Sequence, residues 1–436
     1  MTRYAALVLI LLVTLSARAT GVTTPAQDDE VRRVTTLVLT TFYRKVDPAK
    51  ILSAERSELA VYVAKSKHNV ALPPLPANLS ASSAADLAVD LFHAATRAGA
   101  DSSAAETIAL KAIAGAAHDR YTEFLTRSEY GAISEILTPA KLSGIGILMD
   151  IDPSSKDIRA FFVVPNTPAD RAGMKSGDLL ASVNGLSTRG WTIAQARQHL
   201  LGKAGTKVVI GMSRPSEKLT NELTLVREEV RPPTVYFNML DDHVAYVFIA
   251  AFGSATADEF HTAVQRSEAA GARGYVVDVR NDGGGIVGSA LSVASEFVPS
   301  GPLVSIESNG GQIETFDADD DAIAPKPLAV LVNSYTASAS EIMAAAISES
   351  RTGTLVGTKT FGKGVVQSVT SFPDGSAVKI TTGRYYTPLN HDINGRGIVP
   401  DIVVSENDHA VFGMPSKDAQ LSRALLVVEG GGNERS

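Results

Sequence analysis

The stretch VNSYTASASEI, residues 332–342, joins two segments of different character and decides the fold of its part of the chain. Before it, residues 328–332 form a short apolar run that predicts a buried strand. The segment ASEIMAAAI, residues 339–347, predicts a helix from its composition. Small hydroxyl residues occupy the corner, beside a helix N-terminus that favours negative charge. We therefore predict an α/β fold with an exposed serine at a strand-to-helix corner.

Three serines stand at that corner, Ser334, Ser338 and Ser340, and the local pattern does not choose between them. Ser338 to Glu341 is also a capping-box sequence, with the serine as N-cap and the glutamate at the third helical position. The two interpretations are compatible, because the dipole that acts at a cap also stabilises a developing negative charge. A lysine between two glycines, Lys363, follows 25 residues after Ser338. The pair suggests a serine nucleophile with a lysine base.

Lys363 can act as a general base only when it is neutral, which its reference pKa of about 10.4 opposes at neutral pH. Burial among apolar neighbours such as Phe361 and Val365 would lower that pKa. Gln367 lies four residues further along a strand-like segment, so both side chains project to one face. Taken by itself, the segment also fits a surface lysine in a glycine turn.

A run of three glycines, Gly283–Gly285, ends another predicted strand in the sequence DVRNDGGG, residues 278–285. Consecutive glycines permit backbone conformations that expose N–H groups, so the loop fits either a phosphate cradle or an oxyanion hole. It lacks the Gly-Lys-Ser/Thr of a P-loop and the spacing of a dinucleotide-binding loop. By itself the run favours an ordinary flexible turn.

The composition limits the class of protein. The 436 residues suffice for two or three domains, and 44% hydrophobic with 20% charged residues is typical of a globular chain. A net charge of −7 argues against a general affinity for nucleic acid or acidic lipid. The chain has no cysteine, which excludes disulfides, thiol catalysis and cysteine-ligated metal.

The N-terminus has the layout of a secretory signal peptide. Arg3 precedes an apolar run over residues 5–15, and an A-x-A cleavage sequence ends at Ala19. The alternative is a single membrane anchor. Such an anchor needs about 20 apolar residues, and this run is shorter than that. We therefore expect export with cleavage near Ala19, and a periplasmic location.

Short strand patterns replace helical ones between residues 142 and 229. Four motifs occur there in order: PNTPA at 165–169, AGM at 172–174, GDLL at 177–180 and VNG at 183–185. In wording and order they resemble a PDZ domain, a small β-barrel or sandwich with helices. The resemblance implies that an extended peptide adds as a strand beside residues 145–148. The backbone amides of the preceding loop would receive its terminal carboxylate, and that loop consists of Ser143, Gly144, Ile145 and Gly146.

Three segments taken together resemble the carboxyl-terminal processing (tail-specific) proteases, a family of Ser–Lys endopeptidases: residues 278–285, 336–342 and 360–367. The helical region, the PDZ domain and the core also follow the family's order, and the resemblance covers residues 104–428. Later motifs agree with it, YTP at 386–388 and INGRGIVPD at 393–401. It implies an α/β multidomain protein whose protease core is of the ClpP/crotonase-like type.

The resemblance assigns side-chain roles only at matching positions. Ser338 corresponds to the nucleophile and Lys363 to the general base. Gln367 resembles the residue that holds the lysine, and Glu341 matches an auxiliary polar neighbour. No metal and no organic cofactor is implied.

The resemblance also implies an oxyanion hole made of backbone N–H groups, those of Ala339 and of Gly284 or Gly285. Two positions depart from the family pattern. Thr336 stands where serine is usual, and Gly283 stands where proline is common before two glycines. Neither removes a catalytic side chain, so the departures bear on specificity or loop stiffness.

The predicted organisation follows from these patterns. The segments are a signal peptide (1–19), a helical region (20–140), a PDZ domain (141–230), a Ser–Lys protease core (231–410) and a C-terminal helix with a flexible tail (411–436). They predict an exported serine endopeptidase that recognises C-terminal tails of protein substrates, without a stable membrane span after signal cleavage. Two alternatives are left open: a non-catalytic peptide-tail-binding protein on the same fold, and an acyl-CoA-type enzyme. The oligomeric state is open too, a homo-oligomer included.

Overall fold

The computed structural model describes residues 23–65, 72–76, 79–138, 142–152, 155–175, 177–240, 243–319, 322–406 and 413–430. The predicted signal peptide and the predicted glycine-rich tail after residue 430 lie outside these residues. The helices are α1 (Pro25–Thr41), α2 (Pro48–Lys65), α3 (Ala81–Arg97), α4 (Ser102–Gly115), α5 (Arg127–Leu137), α6 (Pro168–Arg171), α7 (Ile193–Leu200), α8 (Thr256–Ala269), α9 (Val287–Ser295), α10 (Ala339–Glu349) and α11 (Ala419–Glu429). The strands are β1 (Glu123–Leu125), β2 (Leu142–Gly144), β3 (Ile147–Ile151), β4 (Ile158–Val163), β5 (Leu179–Val183), β6 (Leu186–Ser187), β7 (Lys207–Arg214), β8 (Leu219–Val226), β9 (Glu228–Val230), β10 (Val235–Met239), β11 (Val244–Ile249), β12 (Gly274–Asp278), β13 (Pro302–Ser308), β14 (Ile313–Asp317), β15 (Leu328–Val332), β16 (Thr354–Gly357), β17 (Val365–Ser371), β18 (Ala377–Tyr386) and β19 (Ile402–Val403).

The first compact unit consists of the described residues up to Tyr130 together with residues 367–382. Helices α1–α4 bury one face each in a shared core. On α1 this face carries Val31, Val34 and Val38, the three-and-four spacing of an amphipathic helix. The N-terminal region is therefore helical, as predicted.

Two details of the helical unit differ from the sequence interpretation. Within the predicted helical region, residues 20–140, α3 and α4 are separate helices, because the chain turns at Gly99 with a φ of 89°, a conformation that glycine adopts readily. The region also contains a short strand, since β1 pairs antiparallel with the first half of β18.

Glu55 on α2 is a buried acid in this helical core. Its side chain is fully buried, and neither carboxylate oxygen has a hydrogen-bond partner in the described part of the chain. Burial raises the pKa of Glu55 well above its ordinary value, because desolvation penalises the charged form. The folded helical unit therefore favours the neutral form of this acid.

The second unit comprises residues 131–366 and the described residues from Gly383 onward. Its first part is an antiparallel sheet in the order β3-β4-β5-β7-β8, with β6 on β5, which packs against α7. Alternate residues point into its core, as Val208, Ile210 and Met212 do on β7. The PDZ prediction is confirmed in this sheet, and β3 forms one of its edges.

The rest of the second unit is built on a six-stranded sheet in the order β10-β11-β12-β15-β16-β19, parallel from β11 to β19. Helices α8, α9 and α10 pack in one apolar cluster with residues such as Val277 and Val330. Helix α11 packs in another cluster with Val276 and Leu331, the residues that alternate with them. Because both faces are covered, the strands read as continuous apolar runs. The predicted α/β core is confirmed.

A second sheet in this part was not predicted from the sequence. The end of β18 pairs antiparallel with β13, placing Tyr385 opposite Ile306, and β13 pairs with β14. Tyr385 is buried together with Val304, Ile342 and Ile393. This sheet therefore brings a tyrosine to the start of α10.

None of the described helices is both long enough and apolar enough to span a bilayer.

Candidate active site

The corner between β15 and α10 sorts the three candidate serines. Ser334 is exposed in the turn that follows β15. Ser340 is fully buried, and its hydroxyl donates to the backbone carbonyl of Asp282 at 3.1 Å. Ser338 is half-buried and is the N-cap residue of α10. Of the three, Ser338 alone combines partial exposure with the helix N-terminus.

Ser338 has a strained backbone. Its φ is 58° and its ψ is −119°, a region that L-residues other than glycine rarely occupy. Such a conformation costs of order 1–3 kcal/mol and persists only where the surroundings impose it. A sharp strand-to-helix turn of this kind is how a nucleophilic serine is held clear of the backbone in hydrolases. The backbone thus supports the predicted role of Ser338.

The side chain of Glu341 ties Ser338 to Lys363. Oε2 of this buried carboxylate accepts the backbone N–H of Ser338 at 2.9 Å and that of Lys363 at 2.8 Å. The two backbone nitrogens are therefore no more than about 5.7 Å apart, the sum of the two distances. Oε1 accepts the N–H of Gly362 at 2.8 Å and the hydroxyl of Thr360 at 2.5 Å. The predicted capping glutamate thus also holds the lysine segment.

Tyr385 makes the complementary connection and was missed in the sequence. Its hydroxyl lies 3.2 Å from the carbonyl oxygen of Ser338 and closer still to that of Lys363, and it donates toward both. The same two residues are therefore held through their N–H groups by Glu341 and through their carbonyls by Tyr385. The sequence signal was weak, because Tyr385 is one buried position in the alternating pattern of β18. Half-buried Lys363 is placed beside the nucleophile corner by these backbone contacts.

The glycine loop lies directly against Ser338. A Cβ on Gly284 would stand 2.8 Å from the nitrogen of Ala339 and 2.9 Å from Cβ of Ser338, and its φ is 94°. A Cβ on Gly285 would stand 2.1 Å from the carbonyl oxygen of Phe252. Glycine is needed at both positions, because no side chain fits so close an approach. The predicted loop and the predicted Ala339 amide are thus neighbours.

One predicted oxyanion donor is engaged within the loop. The Gly284 N–H donates to Oδ1 of Asp282 at 2.8 Å.

The departure at Thr336 is accommodated, since its buried hydroxyl donates to the carbonyl of Val279 at 2.8 Å and accepts the N–H of Asn333 at 2.9 Å. Thr336 therefore joins the ends of β12 and β15, a task that a hydroxyl performs.

A buried ion cluster anchors the strand that leads into the loop. Arg280 is 1% exposed, and it pairs with Asp278 at 2.6 Å and with Asp418 at 2.7 Å. It also donates to Oε1 of Gln420 at 2.9 Å. Burial alone would lower the pKa of Arg280, but the two aspartates raise it, so the guanidinium stays charged. The start of α11 is thereby joined to the strand end next to the glycine loop.

Gln367 lies on β17 in the helical unit. There its Nε2 is 3.5 Å from the hydroxyl of Thr381 on β18. Its predicted role toward Lys363 stays a prediction.

The PDZ part carries an apolar groove of about 320 Å³. Its lining includes Ile145, Gly146 and Ile147 on one side and Ile193 and Leu200 of α7 on another. Strand β3 is an edge of its sheet, so the groove offers backbone groups to an added strand. The predicted binding segment therefore faces a groove of the expected kind.

The predicted PDZ loop differs from the sequence interpretation in its first half. Ser143 and Gly144 belong to β2, where they pair with Glu229 and Glu228 of β9, so this half is a strand rather than a loop, although Gly144 also lines the groove. Gly146 has a φ of 82°, and a Cβ there would stand 2.2 Å from the side chain of Thr167. Arg197, an exposed residue of α7, is the one charged side chain among the described groove-lining residues.

Comparisons with known proteins identify relatives of this chain. A model of peptidase family S41 matches residues 243–404, and a PDZ-domain model matches residues 163–212. The chain is 32% identical over 317 residues to a carboxyl-terminal-processing protease of Synechocystis, covering 71% of this chain and 74% of that one. It is 32% identical over 303 residues to a carboxy-terminal processing protease of Bacillus subtilis, covering 69% and 64%.

Two solved structures match most of the chain, and the first of them agrees with it in fold. A lipoprotein from Streptococcus agalactiae matches with a TM-score of 0.51 at 11% identity, covering 94% of this chain and 98% of the other. The photosystem II D1 C-terminal processing protease matches with a TM-score of 0.47 at 27% identity, covering 88% and 94%.

Proposed function

This chain belongs to the carboxyl-terminal processing proteases, serine peptidases of family S41, and we propose that it cleaves exported proteins whose C-terminal tails its PDZ groove captures. The observation that carries the catalytic part is the pair of backbone N–H groups, those of Ser338 and Lys363, on one oxygen of Glu341. That contact holds the backbone nitrogens of the strained Ser338 and of Lys363 within about 5.7 Å of each other. A nucleophile and its base need this proximity.

The proposed reaction is acyl transfer through Ser338. Neutral Lys363 accepts the proton of the Ser338 hydroxyl as Oγ attacks the scissile carbonyl carbon, which forms a tetrahedral oxyanion. The N–H of Ala339 and an N–H of the glycine loop stabilise that oxyanion, each by typically about 3 kcal/mol. Protonated Lys363 then gives its proton to the leaving amine as the C–N bond breaks, and water releases the acyl group from Ser338.

Tail recognition is assigned to the groove beside β3. An extended tail would pair with the β3 edge while its apolar side chains fill the space between Ile147 and Leu200. Arg197 lines the same groove, so tails that carry an acidic residue within its reach should bind better than tails with a basic one.

Export is supported by the N-terminal sequence alone. Residues 1–19 have the charge, apolar run and A-x-A site of a signal peptide. We place the mature enzyme in the periplasm. Sequencing the N-terminus of the chain purified from its own cell should find a start near Thr20, and an intact Met1 would contradict the assignment.

The test of the catalytic assignment uses an unstructured protein with an apolar C-terminus as substrate. Ser338→Ala and Lys363→Ala should each lower kcat by at least about 10⁴-fold, because each removes one half of the proton-transfer pair. Ser334→Ala, at an exposed serine of the same corner, is the matched control and should cleave at the wild-type rate. A serine-reactive probe should label the wild type and not Ser338→Ala.

Two outcomes would contradict the proposal. Full activity in Lys363→Ala would exclude the dyad. Equal cleavage of substrates with a free and an amidated C-terminus, together with no effect of Arg197→Glu on acidic against basic tails, would exclude tail capture by the groove.

A further inference from the structure

Asp282 is a buried acid inside the candidate site that the proposed reaction does not use. Its side chain is fully buried, and Oδ1 accepts the Gly284 N–H at 2.8 Å. The other oxygen, Oδ2, is buried without a hydrogen-bond partner among the residues that the structure describes. An unpaired buried carboxylate oxygen is costly, so its presence calls for a reason.

The backbone of Asp282 connects the glycine loop to the nucleophile corner. Its carbonyl oxygen accepts the N–H of Ala337 at 3.0 Å and the hydroxyl of Ser340 at 3.1 Å. These residues lie on either side of Ser338. Asp282 therefore contacts the nucleophile turn through its main chain and the Gly284 amide through its side chain.

The charge on this side chain matters for the proposed chemistry. A carboxylate at Asp282 would hold the Gly284 N–H in a charge-assisted bond and withhold it from the oxyanion. Its negative charge would also oppose the negative charge that develops on the substrate in a water-poor site. A neutral carboxyl group removes the repulsion and weakens its bond to the amide, while its size keeps the loop in shape.

We propose that Asp282 is the positioning residue of the glycine loop. Its neutral carboxyl group leaves the Gly284 N–H free to turn to the oxyanion. Its ionised carboxylate withholds that N–H. The inference rests on the proposed function, because it needs an oxyanion at Ser338.

The surroundings of Asp282 favour the neutral form. Burial raises the pKa of Asp282 to about 7, and the hydrogen bond that the carboxyl group accepts from the Gly284 N–H offsets only part of this effect. The charged side chains on the adjoining segments are engaged elsewhere. Arg280 pairs with Asp278 and Asp418, and Glu341 binds the backbone of Ser338 and Lys363.

The sign of the pH effect follows from this direction. The carboxyl is neutral below about pH 7, and the competent loop is lost as the pH rises through that value. Lys363 acts in the opposite sense, because a base gains activity as it loses its proton. The wild-type profile of kcat against pH should therefore have a descending limb that belongs to Asp282.

The experiment compares Asp282→Asn and Asp282→Ala with the wild type, with kcat and KM measured from pH 5.5 to 9. Asparagine keeps an acceptor for the Gly284 N–H and cannot ionise. The ratio of its kcat to that of the wild type should rise by roughly tenfold for each unit above pH 7. Alanine removes the side chain whose size keeps the loop in shape, so kcat should fall by roughly 10- to 100-fold at pH 6 with KM nearly unchanged.

Glu55→Gln is the matched control, because it removes another buried acid of raised pKa from the helical unit. Its pH profile should superimpose on that of the wild type. If Asp282→Asn does not fold, the amide signal of Gly284 in glycine-labelled Ser338→Ala replaces it and should titrate near pH 7.

The outcomes separate the inference from the proposed function. A wild-type pH profile in Asp282→Asn, or no titration of the Gly284 amide, would overturn the role of Asp282 while Ser338→Ala stays inactive. Cleavage that persists in Ser338→Ala would overturn the proposed function, and this inference with it.

Discussion

The starts of helices α7 and α10 share a sequence pattern and differ in structure. At α7, Thr192 has a φ of −81° and a ψ of 160°, its hydroxyl accepts the N–H of Gln195 at 3.3 Å, and the Gln195 side chain accepts the Thr192 N–H at 2.8 Å. At α10, Ser338 has a φ of 58°, and the Glu341 side chain accepts its N–H at 2.9 Å. The bond from the N-cap N–H to the side chain of the third helical residue is thus present at both helices, on a relaxed backbone at α7 and on a strained one at α10.

The partners of the acidic or amide side chain explain the difference. Within the described ranges the Gln195 side chain binds Thr192 alone, so the cap at α7 is a local device at the start of a helix. The Glu341 carboxylate also binds the segment around Lys363, some twenty residues away in sequence. A helix cap becomes part of a candidate active site when the side chain at the third helical position also binds a distant segment. Four predictions test this distinction between α7 and α10.

The largest contrast concerns activity. Ser338→Ala should lower kcat by roughly 10⁴- to 10⁶-fold, as the loss of a nucleophile does, whereas Thr192→Ala should leave kcat unchanged. Thr192→Ala removes only a cap and should lower the free energy of unfolding by about 1 kcal/mol. Steady-state cleavage with urea denaturation of both variants measures this. Equal kcat values for the two variants would contradict the distinction between a purely structural cap at α7 and a catalytic one at α10.

Substitution of the residue at the third helical position, Glu341 in α10 and Gln195 in α7, should give the next largest difference between the two caps. Glu341→Gln places an amide donor against two of the groups that now donate to the carboxylate, so the free energy of unfolding should fall by about 2–4 kcal/mol and kcat should fall with it. Gln195→Glu keeps an acceptor for the Thr192 N–H and should be nearly neutral in stability. Denaturant titration of both reports the difference. A stable, active Glu341→Gln would show that the carboxylate does not hold the lysine segment.

Tyr385→Phe tests the carbonyl side of the same arrangement. Loss of the hydroxyl leaves the carbonyls of Ser338 and Lys363 without this donor, so we expect about 1–2 kcal/mol less stability and a roughly tenfold lower kcat. Tyr386→Phe is the matched control, because that hydroxyl donates to Glu307 at 2.7 Å instead. Identical kcat values in the two variants would count against a positioning role for Tyr385.

The smallest effects should have opposite signs. Ser338→Gly relieves the positive φ, which outweighs the added freedom of the unfolded chain, and should raise the free energy of unfolding by about 1 kcal/mol. Thr192→Gly relieves nothing and should lower it by about 0.5 kcal/mol. Both values come from equilibrium denaturation. A loss of stability in Ser338→Gly would mean that the serine backbone is not strained.

Much of the architecture could be predicted, because short apolar runs between turns define buried strands. Residues 328–332 are a strand over the predicted length, and the PDZ and protease-family resemblances are both confirmed. The start of α10 also follows from its capping pattern. These features depend on local sequence, which a single chain reveals.

The site could be predicted only in part, because its geometry depends on contacts between distant residues. No local pattern shows that Ser338 takes a positive φ, since the carbonyl of Asp282 and the close approach of Gly284 impose the turn. The hydroxyl of Tyr385 reaches Ser338 across 47 positions. Asp282 was seen only as part of a glycine loop, and its burial is a property of the folded core.

The pairing of Arg280 with Asp418 has a consequence for the order of events during synthesis. The two residues are 138 positions apart, so at 5–20 residues per second the ribosome needs roughly 7–28 s to supply the second after the first. During that interval the arginine beside the glycine loop lacks one of the two buried aspartates that pair with it. Helices α1–α4 and the PDZ domain can form meanwhile, whereas the ion cluster beside the glycine loop is completed only after Asp418 has been made. Completion of this anchor is therefore a late event of synthesis.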